Sequence, residues 1–418
     1  MMTLAEKIIA RAAGKNLVRP GEIVTCQVDL AMMHDSGGPR RVDSKLRELG
    51  VGIWDPDKVV VVSDHYVPAV DADSAEILSF TRGWVAERGI RHFYDMRGIC
   101  HVVLQEHGHL RPGMFAVGGD SHSPSGGAVG AFMVGIGATE MAGVLATGEI
   151  WIRVPETLRI ELSGALGPCL SSKDVLLHLC ATLGMNNDYL CIEYAGEAIA
   201  GLSMAERLTL CNMAAELGGK TGIVAPDART AAALATAGAP NAFDPIWRSD
   251  EGAATRRHRV DLSALSPHVA APHSPANSAP VNDHAGTRID QAYIGACTGA
   301  KLEDLQMAAS LLRGHQVASH VRLLIAPAST QTTLQAARDG TLQILTEAGA
   351  ILLPSGCGAC AGLGAGVLAK GEICIASTAR NFKGRMGSAE SRVYLGSPYT
   401  VAASAIKGAI ADPREVLA

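Results

Sequence analysis

The chain has 418 residues, of which 48% are hydrophobic, and a formal net charge of -5 at pH 7. A chain of this length is too long for one hydrophobic core, so we expect a multidomain α/β protein. The acidic balance argues against nucleic acid as a partner. No stretch approaches the roughly 18 to 20 uninterrupted apolar residues that a membrane span needs, so we expect a cytoplasmic protein with no membrane partner.

The first 155 residues alternate between strand-like and helix-like patterns. The amino-terminal stretch MMTLAEKIIARAAGK predicts a short amphipathic helix rather than a secretory signal. KVVVVSD (58–64) predicts a strand, and residues 71–89 predict a helix. HFYDM and CHVVLQEHG repeat this order, which is typical of a parallel sheet covered by helices. We therefore predict a first α/β domain over 1–155.

A second α/β domain is predicted over 156–285. It begins with the strand pattern of TLRIELSGAL and continues with helical patterns in SSKDVLLHLCATLG and LSMAERLTLCNMAAELGG. Residues 238–285 are rich in proline and show little periodicity. We predict that they form an irregular connector wrapped over the surface.

A third α/β domain is predicted over 286–418. The strand patterns QAYIGA, VRLLIAP and AILLPSG alternate with the helical patterns LEDLQMAASLLRG and TLQAARDGTLQILTEAG. This domain contains three cysteines that stand in glycine-rich turns after predicted strands.

Ten cysteines in a long chain without a secretory signal do not indicate a disulfide framework. Most stand in apolar surroundings, where a cysteine behaves as a small buried hydrophobic residue. We predict inert, buried positions for Cys26, Cys100, Cys180, Cys191, Cys211 and Cys374.

Cys297 in IGACTGAK and the pair Cys357 and Cys360 in PSGCGACAG have a different setting. Both segments read as turns from a strand to a helix in one domain. Since ligands bind at the carboxyl ends of parallel strands, the two turns could bring three sulfurs together. A C-x-x-C pair alone also suits zinc or a redox pair, so a zinc site stays open. Three cysteines are one fewer than usually ligate an iron–sulfur cluster, which would leave a metal with an open, catalytic position.

Three polar groups stand upstream of these cysteines. Asp64 and His65 follow a predicted strand, His101 lies in GICHVV, and GGDSHSPSGG contains Asp120, Ser121 and His122. A single histidine at a strand end is more often structural than catalytic. Together with the three cysteines, these groups indicate one site of acid–base chemistry.

Several long motifs, which follow one another along almost the whole chain, resemble those of a known family. GGDSHSPSGGAVGAF, CNMAAELG, IGACTGAKLEDL, GCGACAG and ASTARNFKGRMG resemble the aconitase superfamily. HSPANSAPV and SPYTVAASAIKG resemble its 3-isopropylmalate dehydratase and homoaconitase large-subunit branch. The resemblance implies three aconitase-like α/β domains with mainly parallel sheets around a central cluster cleft, without the swivel domain. It also implies a 4Fe-4S cluster on Cys297, Cys357 and Cys360.

The resemblance further implies roles for individual residues in the dehydration of a hydroxy acid. His101 with Asp120 would form the leading acid pair, and Asp64–His65 and His122–Glu216 would form supporting pairs. The substrate-binding candidates are Arg380, Arg385, Ser121, His34, Asp35 and Asn212. Arginine suits this role because its planar fork binds a carboxylate through two nitrogens.

Two features separate this chain from the fuller aconitase pattern. The swivel domain supplies the base serine in aconitases, so a separate small subunit is the expected partner. The motifs also contain Gly299 and Ala379 where relatives usually have asparagine. An asparagine side chain can both donate and accept hydrogen bonds, which glycine and alanine cannot do. Substrate choice therefore stays open among 3-isopropylmalate, homocitrate or homoaconitate, and another substituted malate such as 2,3-dimethylmalate.

Two other classes of function stay open at this point. The first is a metal-binding protein that has lost catalysis, for which the residues at 299 and 379 are the argument. The second is a relative that binds RNA without its cluster, which the acidic balance disfavours.

Overall fold

The computed structural model describes residues 1–240 and 244–417, and it has an α/β architecture with mainly parallel sheets. Within these residues, no helix has the length and apolar character needed to cross a membrane. The helices are α1 (Leu4–Ala12), α2 (Pro39–Leu49), α3 (Ala72–Glu87), α4 (Cys100–Glu106), α5 (Ala138–Thr147), α6 (Ser172–Leu183), α7 (Met204–Asn212), α8 (Ala228–Thr236), α9 (Leu302–Leu312), α10 (Thr330–Arg338), α11 (Thr341–Glu347) and α12 (Pro398–Lys407).

The strands form three larger sheets and one two-stranded ribbon, in which β1 pairs antiparallel with β7. The strands are β1 (Ile23–Gln27), β2 (Leu30–His34), β3 (Val59–Ser63), β4 (His92–Asp95), β5 (Phe115–Gly118), β6 (Phe132–Gly135), β7 (Glu149–Arg153), β8 (Thr157–Ser163), β9 (Cys191–Ala195), β10 (Thr221–Val224), β11 (Arg256–Asp261), β12 (His268–Ala270), β13 (Ser278–Pro280), β14 (Gln291–Ile294), β15 (Arg322–Ile325), β16 (Ile351–Leu352), β17 (Ile373–Ala376) and β18 (Arg392–Leu395).

The first large sheet has the order β4-β3-β2-β5-β6, and all its pairs are parallel. Every residue of β2 and β3 is buried, which is why the sequence of β3 is a continuous run of valines. After β2, the chain adds β3 and β4 on one side of β2 and then β5 and β6 on the other side. The strand order therefore reverses between β2 and β5, where open α/β sheets place their ligands.

The third large sheet has the order β13-β12-β18-β17-β14-β15-β16. From β14 the chain runs outward through β15 and β16, and then returns to the other side of β14 with β17. The reversal point lies between β14 and β17. The turn with Cys297 follows β14, and the loop with Arg380 follows β17.

The second large sheet has the order β10-β9-β8-β11 and is parallel. Its core is continuous with that of the third sheet, since residues such as Ile192 and Ile294 belong to one buried cluster. Part of this sheet comes from the segment 238–285, which was predicted to be irregular.

That prediction of an irregular connector is wrong for three stretches of the segment. β11 pairs with β8, and β12 and β13 join the third sheet as antiparallel strands. β11 lies at a sheet edge and buries only Val260, so its sequence lacks the alternation by which a strand is recognised. Backbone pairing with β8, rather than side-chain pattern, makes it a strand. The domain boundaries at 155 and 285 stay predictions.

Two local predictions also need correction. The helix expected to continue through CNMAAELGG ends at Asn212 and tightens into a 3-10 turn over Met213–Ala215. The turn after β16 does not lead into an α-helix. It forms a 3-10 turn at Gly358–Ala361 instead. The six cysteines expected to be inert, by contrast, are all buried.

Candidate active site

The site lies where the carboxyl ends of strands from the first and third sheets face each other. Cys357 N donates a 2.7 Å hydrogen bond to the carbonyl oxygen of Asp64. Nearby, Ile99 N donates to the carbonyl oxygen of Ala328 at 2.8 Å. These backbone contacts hold the third-sheet turns against the strand ends of the first sheet.

The turn with Cys297 is held by its backbone and by one amide side chain. Ala296 has φ of 70°, a left-handed conformation that is uncommon for a residue with a Cβ atom. This conformation turns the chain sharply just before Cys297. Asn212 at the end of α7 donates from Nδ2 to Cys297 Sγ at 3.1 Å. Helix α7, which lies between strands β9 and β10 of the second sheet in the chain, thus also contributes a residue to this site.

Burial shapes the chemistry of the three candidate thiols. Burial and, to a smaller extent, the nearby Cys360 raise the pKa of Cys297 to about 12. Burial also raises the pKa of Cys357, with Asp64 and Cys360 acting in the same direction. Three thiols that oppose one another's ionisation become stable thiolates when a metal centre binds them.

The arrangement suits a cluster better than a single zinc ion. Sulfurs bound to one tetrahedral zinc lie about 3.8 Å apart, given a Zn–S distance near 2.3 Å. Within residues 1–240 and 244–417, two groups place all their ligand atoms within 4.8 Å of one another, and neither contains Cys297, Cys357 or Cys360. At least one distance between these three sulfurs therefore exceeds 4.8 Å, which is wider than one zinc ion requires and fits an iron–sulfur cluster.

Three histidines each face a carboxylate next to these thiols. His101 Nε2 lies 2.9 Å from Asp120 Oδ1, and His65 Nδ1 lies 2.6 Å from Asp64 Oδ1. His122 Nε2 lies 3.0 Å from Glu216 Oε1. The structure therefore forms the three pairs expected from the sequence, while their catalytic roles stay predictions.

The pairs differ in where they hold a proton. Burial opposes a charge on His65, but Asp64 and Asp35 outweigh it and raise the His65 pKa to about 9. Burial lowers the pKa of His122 even though Glu216 favours its charged form. At neutral pH, His65 is therefore an imidazolium and His122 a neutral imidazole. The pKa of Glu216 falls to about 2 because His122 and Arg380 overcome its burial.

His34 and Asp35 lie behind the His65 pair. The Asp35 carboxylate accepts backbone hydrogen bonds from Asp64, His65 and Tyr66, of which that from Tyr66 is 2.9 Å long. The His34 ring stacks on His65 with centroids 4.2 Å apart, and His34 Nε2 lies 3.0 Å from the Gly119 carbonyl oxygen. This geometry fits support of the turn better than contact with a substrate.

The two candidate arginines have different surroundings. Arg380 donates from Nε to Glu216 at 2.6 Å and from Nη1 to Ser121 Oγ at 2.8 Å. These bonds aim its guanidinium at the histidine pairs. Arg385 faces Cys360 instead, where it counteracts the rise that burial causes in the pKa of that thiol. The structure therefore brings Arg380, but not Arg385, into contact with the acid–base groups.

A cavity of about 420 Å³ opens beside these groups and is lined in part by Asp120, Ser121 and Arg380. It also contains two residues that the sequence did not single out, Tyr189 and Lys220. Lys220 Nζ lies 5.4 Å from the centroid of the Tyr189 ring. Neither stands in a recognisable motif, and only the fold brings them to the site.

The presence of glycine at position 299 is explained by Ser377, which lies against it in the structure. A Cβ atom at Gly299 would lie within 3.0 Å of both Ser377 Oγ and Ser377 Cβ. Ser377 Oγ occupies this space and donates to the carbonyl oxygens of Gly295 and Gly299, at 3.1 and 3.3 Å. The asparagine of the related motifs would not fit here beside a serine.

We expect Gly299→Ala to destabilise the protein by about 1–3 kcal/mol through this overlap. Ser377→Gly should relieve the overlap with the side chain but not with the Ser377 carbonyl oxygen, which lies 2.7 Å from the Cβ position, so the double variant should still be more stable than the sum of the two single changes predicts. Urea denaturation of the four proteins measures this coupling. Gly143→Ala is the control, since a Cβ atom there meets nothing within 4 Å in helix α5. Additive changes would contradict the explanation.

Comparison with known proteins gives consistent matches over the whole chain. A model of the aconitase family (aconitate hydratase) matches residues 6–287 and 282–408. The 3-isopropylmalate dehydratase large subunit 1 of Methanopyrus kandleri is 48% identical, over 99% of this chain and 99% of that protein. The methanogen homoaconitase large subunit of Methanocaldococcus jannaschii is 42% identical, over 98% and 99%.

A solved structure supports the fold. The crystal structure of Thermococcus kodakaraensis aconitase X in its holo-form matches with a TM-score of 0.53 and 13% identity. The match covers 88% of this chain and 89% of that one. At this identity the likeness concerns the arrangement of helices and strands alone.

Proposed function

This chain belongs to the aconitase family and is a hydro-lyase, and we propose that it is the large subunit of a two-chain 4Fe-4S dehydratase. Its substrate would be a malate-type hydroxy acid with two or three carboxylates. One observation carries the proposal: three thiols, of which Cys297 and Cys360 are buried and Cys357 is half-buried, lie next to three histidine–carboxylate pairs and an arginine bound to one of those carboxylates. Family membership implies an iron–sulfur cluster, and Cys297, Cys357 and Cys360 would hold it.

The cluster would supply the part of the reaction that side chains perform poorly. When bound by three cysteines, it offers a Lewis acid that polarises an oxygen of the substrate. Departure of hydroxide and removal of a weakly acidic proton are the two difficult steps of this elimination. The residues of this chain act mainly on the first of them.

The leaving hydroxyl needs a proton, which His101 would donate. Asp120 orients the His101 ring through its 2.9 Å contact and also accepts a 2.7 Å hydrogen bond from His122 N. A carboxylate held in this way fixes the orientation of the His101 ring for proton transfer. The charged His65 beside Asp64 would keep a second positive group close to the substrate.

Substrate carboxylates would bind at Arg380 and at a second cation that lines the same cavity. Arg380 is held at Nε and Nη1, and no residue within the described ranges accepts a hydrogen bond from its Nη2. That nitrogen can donate to a carboxylate. Lys220 lines the same cavity and offers a second positive charge. Two cations in one cavity suit an acid with at least two carboxylates.

We propose that the base which removes the carbon-bound proton comes from a separate small subunit. The names of the relatives, which are large subunits, support this division. The candidate site is open at the cavity, where a second chain could cover it. The proposed partner is therefore a swivel-domain subunit that contributes a serine.

The test is reconstitution of the two chains without oxygen. We expect the purified chain, supplied with iron and sulfide, to turn brown and to dehydrate 3-isopropylmalate, homocitrate or 2,3-dimethylmalate only after the small subunit is added. Formation of the unsaturated acid measures turnover, and the small subunit alone is the control. A colourless, zinc-containing protein without turnover would instead support a non-catalytic metal binder.

A further inference from the structure

One fully buried cation has no part in the reaction described above. Lys173 lies at the start of α6 with an exposed fraction of 1%. Its ammonium group donates to the carbonyl oxygen of Ser377 at 3.2 Å and to that of Thr378 at 2.5 Å. These carbonyls belong to the loop that follows β17 and leads into Arg380.

Lys173 differs from the other buried cations in its lack of a carboxylate partner. Arg207 pairs with Asp227 at 2.5 Å, and Lys301 pairs with Asp304 at 2.6 Å. Within residues 1–240 and 244–417, no carboxylate lies within the 4.0 Å ion-pair distance of Lys173 Nζ. Burying an ammonium group is costly unless some negative charge compensates it.

Two of the three candidate cluster thiols favour the charged form of Lys173. Burial lowers the pKa of Lys173 to about 8, while Glu216, Cys180, Cys360 and Cys297 act in the opposite direction. Glu216 is already engaged by Arg380 and His122. Cys180 is a buried thiol whose pKa is raised to about 12 and is not a candidate ligand, so Cys297 and Cys360, as thiolates of the cluster, are the negative groups that remain for Lys173.

The same lysine also connects two turns of the site. The carbonyl oxygen of Ser377 accepts from Lys173 and, at 3.0 Å, from Thr298 Oγ1 next to Cys297. Lys173 thus joins the second sheet region to the Cys297 turn and to the loop of Arg380 through one carbonyl group. Any movement of this ammonium group would reach both.

We propose that Lys173 is the charge-balancing and positioning residue of the site: it offsets the negative charge of the three thiolates and their cluster, and it holds the 377–380 loop so that Arg380 meets the substrate. This inference rests on the proposed cluster. Without this role, Lys173 would be only a buried polar residue at the start of α6.

The test compares the cluster of the wild-type chain with that of Lys173→Met. Loss of the buried charge should make the cluster harder to reduce, so the ratio of reduced to oxidised cluster at a fixed potential should fall about tenfold. Spectroscopic redox titration by electron paramagnetic resonance measures this ratio. With the small subunit present, KM should rise more than kcat falls, because Arg380 loses its support.

Arg207→Met is the matched control, since it removes another fully buried cation of the same region that touches none of the cluster turns. It should lower thermal stability but leave the redox ratio unchanged. Lys173→Gln is a second neutral variant that should disturb the fold less. It serves if the methionine variant does not fold. A redox ratio within twofold of wild type in either iron-loaded neutral variant would overturn the inference.

Failure of the proposed function would look different. In that case the wild-type chain itself would bind no iron and sulfide. An iron-loaded wild type beside a neutral variant with an unchanged redox ratio would overturn the role of Lys173 alone.

Discussion

Replacing Cys297 by alanine is expected to abolish stable binding of the iron–sulfur cluster. Only two protein sulfurs would remain, and Asn212 would lose the thiol to which it now donates at 3.1 Å. A cluster held only by Cys357 and Cys360 loses the support of the second turn, so iron content should fall at least about tenfold relative to the wild type. Visible absorbance and iron analysis after anaerobic reconstitution measure the loss.

Cys374→Ala is the matched control for this experiment. Cys374 is buried in β17 of the same sheet, but its thiol lies beside the Ile375 carbonyl oxygen rather than in a cluster turn. The control should keep its cluster and lose about 1 kcal/mol of stability through a small cavity. A Cys297→Ala protein with the iron content of the control would show that this cysteine is no ligand.

Asp120→Asn is expected to lower kcat about 10²- to 10⁴-fold, the usual contribution of a positioned acid–base group. Asp120 is the carboxylate that orients His101 and accepts the backbone N–H of His122. Burial opposes its charge, but the hydrogen bond from His101 holds its pKa well below the usual range. An asparagine is close to it in size and carries no charge, so the ring of His101 loses its stabilising partner.

The measurement is kcat of the reconstituted pair of chains, with iron content determined in parallel. Asp43→Asn is the control, because Asp43 is an ion-paired carboxylate that contacts Arg47 and Arg88 away from the candidate site. It should reduce stability and leave kcat near the wild-type value. If Asp120→Asn retained full cluster and more than half of the wild-type kcat, the assignment of His101 and Asp120 as the acid pair would be wrong.

Much of the site could be predicted because its residues stand in contiguous motifs. Asp64 and His65 follow β3, Asp120 to His122 follow β5, and Cys297 follows β14. Parallel strands place their carboxyl ends along one edge, so residues that follow strands in the sequence meet in space. Alternation of strands and helices was likewise sufficient to predict an α/β fold.

Other features had no local signal. β11 was missed because an edge strand that buries one residue has no alternating pattern. The end of α7 was predicted too late in the sequence. Asn212 contacts Cys297, whereas Glu216 contacts His122 and Arg380. The predicted helix ran through both residues, whereas these contacts accompany a tightened turn.

The sequence by itself determined the fold class, the family resemblance and the residue types of the site, because these depend on short-range pattern and on motifs that stay together in the chain. Tertiary structure alone decided which groups face one another. It placed Arg385 beside Cys360, filled the space at Gly299 with Ser377, and buried Lys173 beneath the loop of Arg380. Such contacts join residues up to about half the chain apart, and their energies depend on burial and distance, which exist only after the sheets have packed.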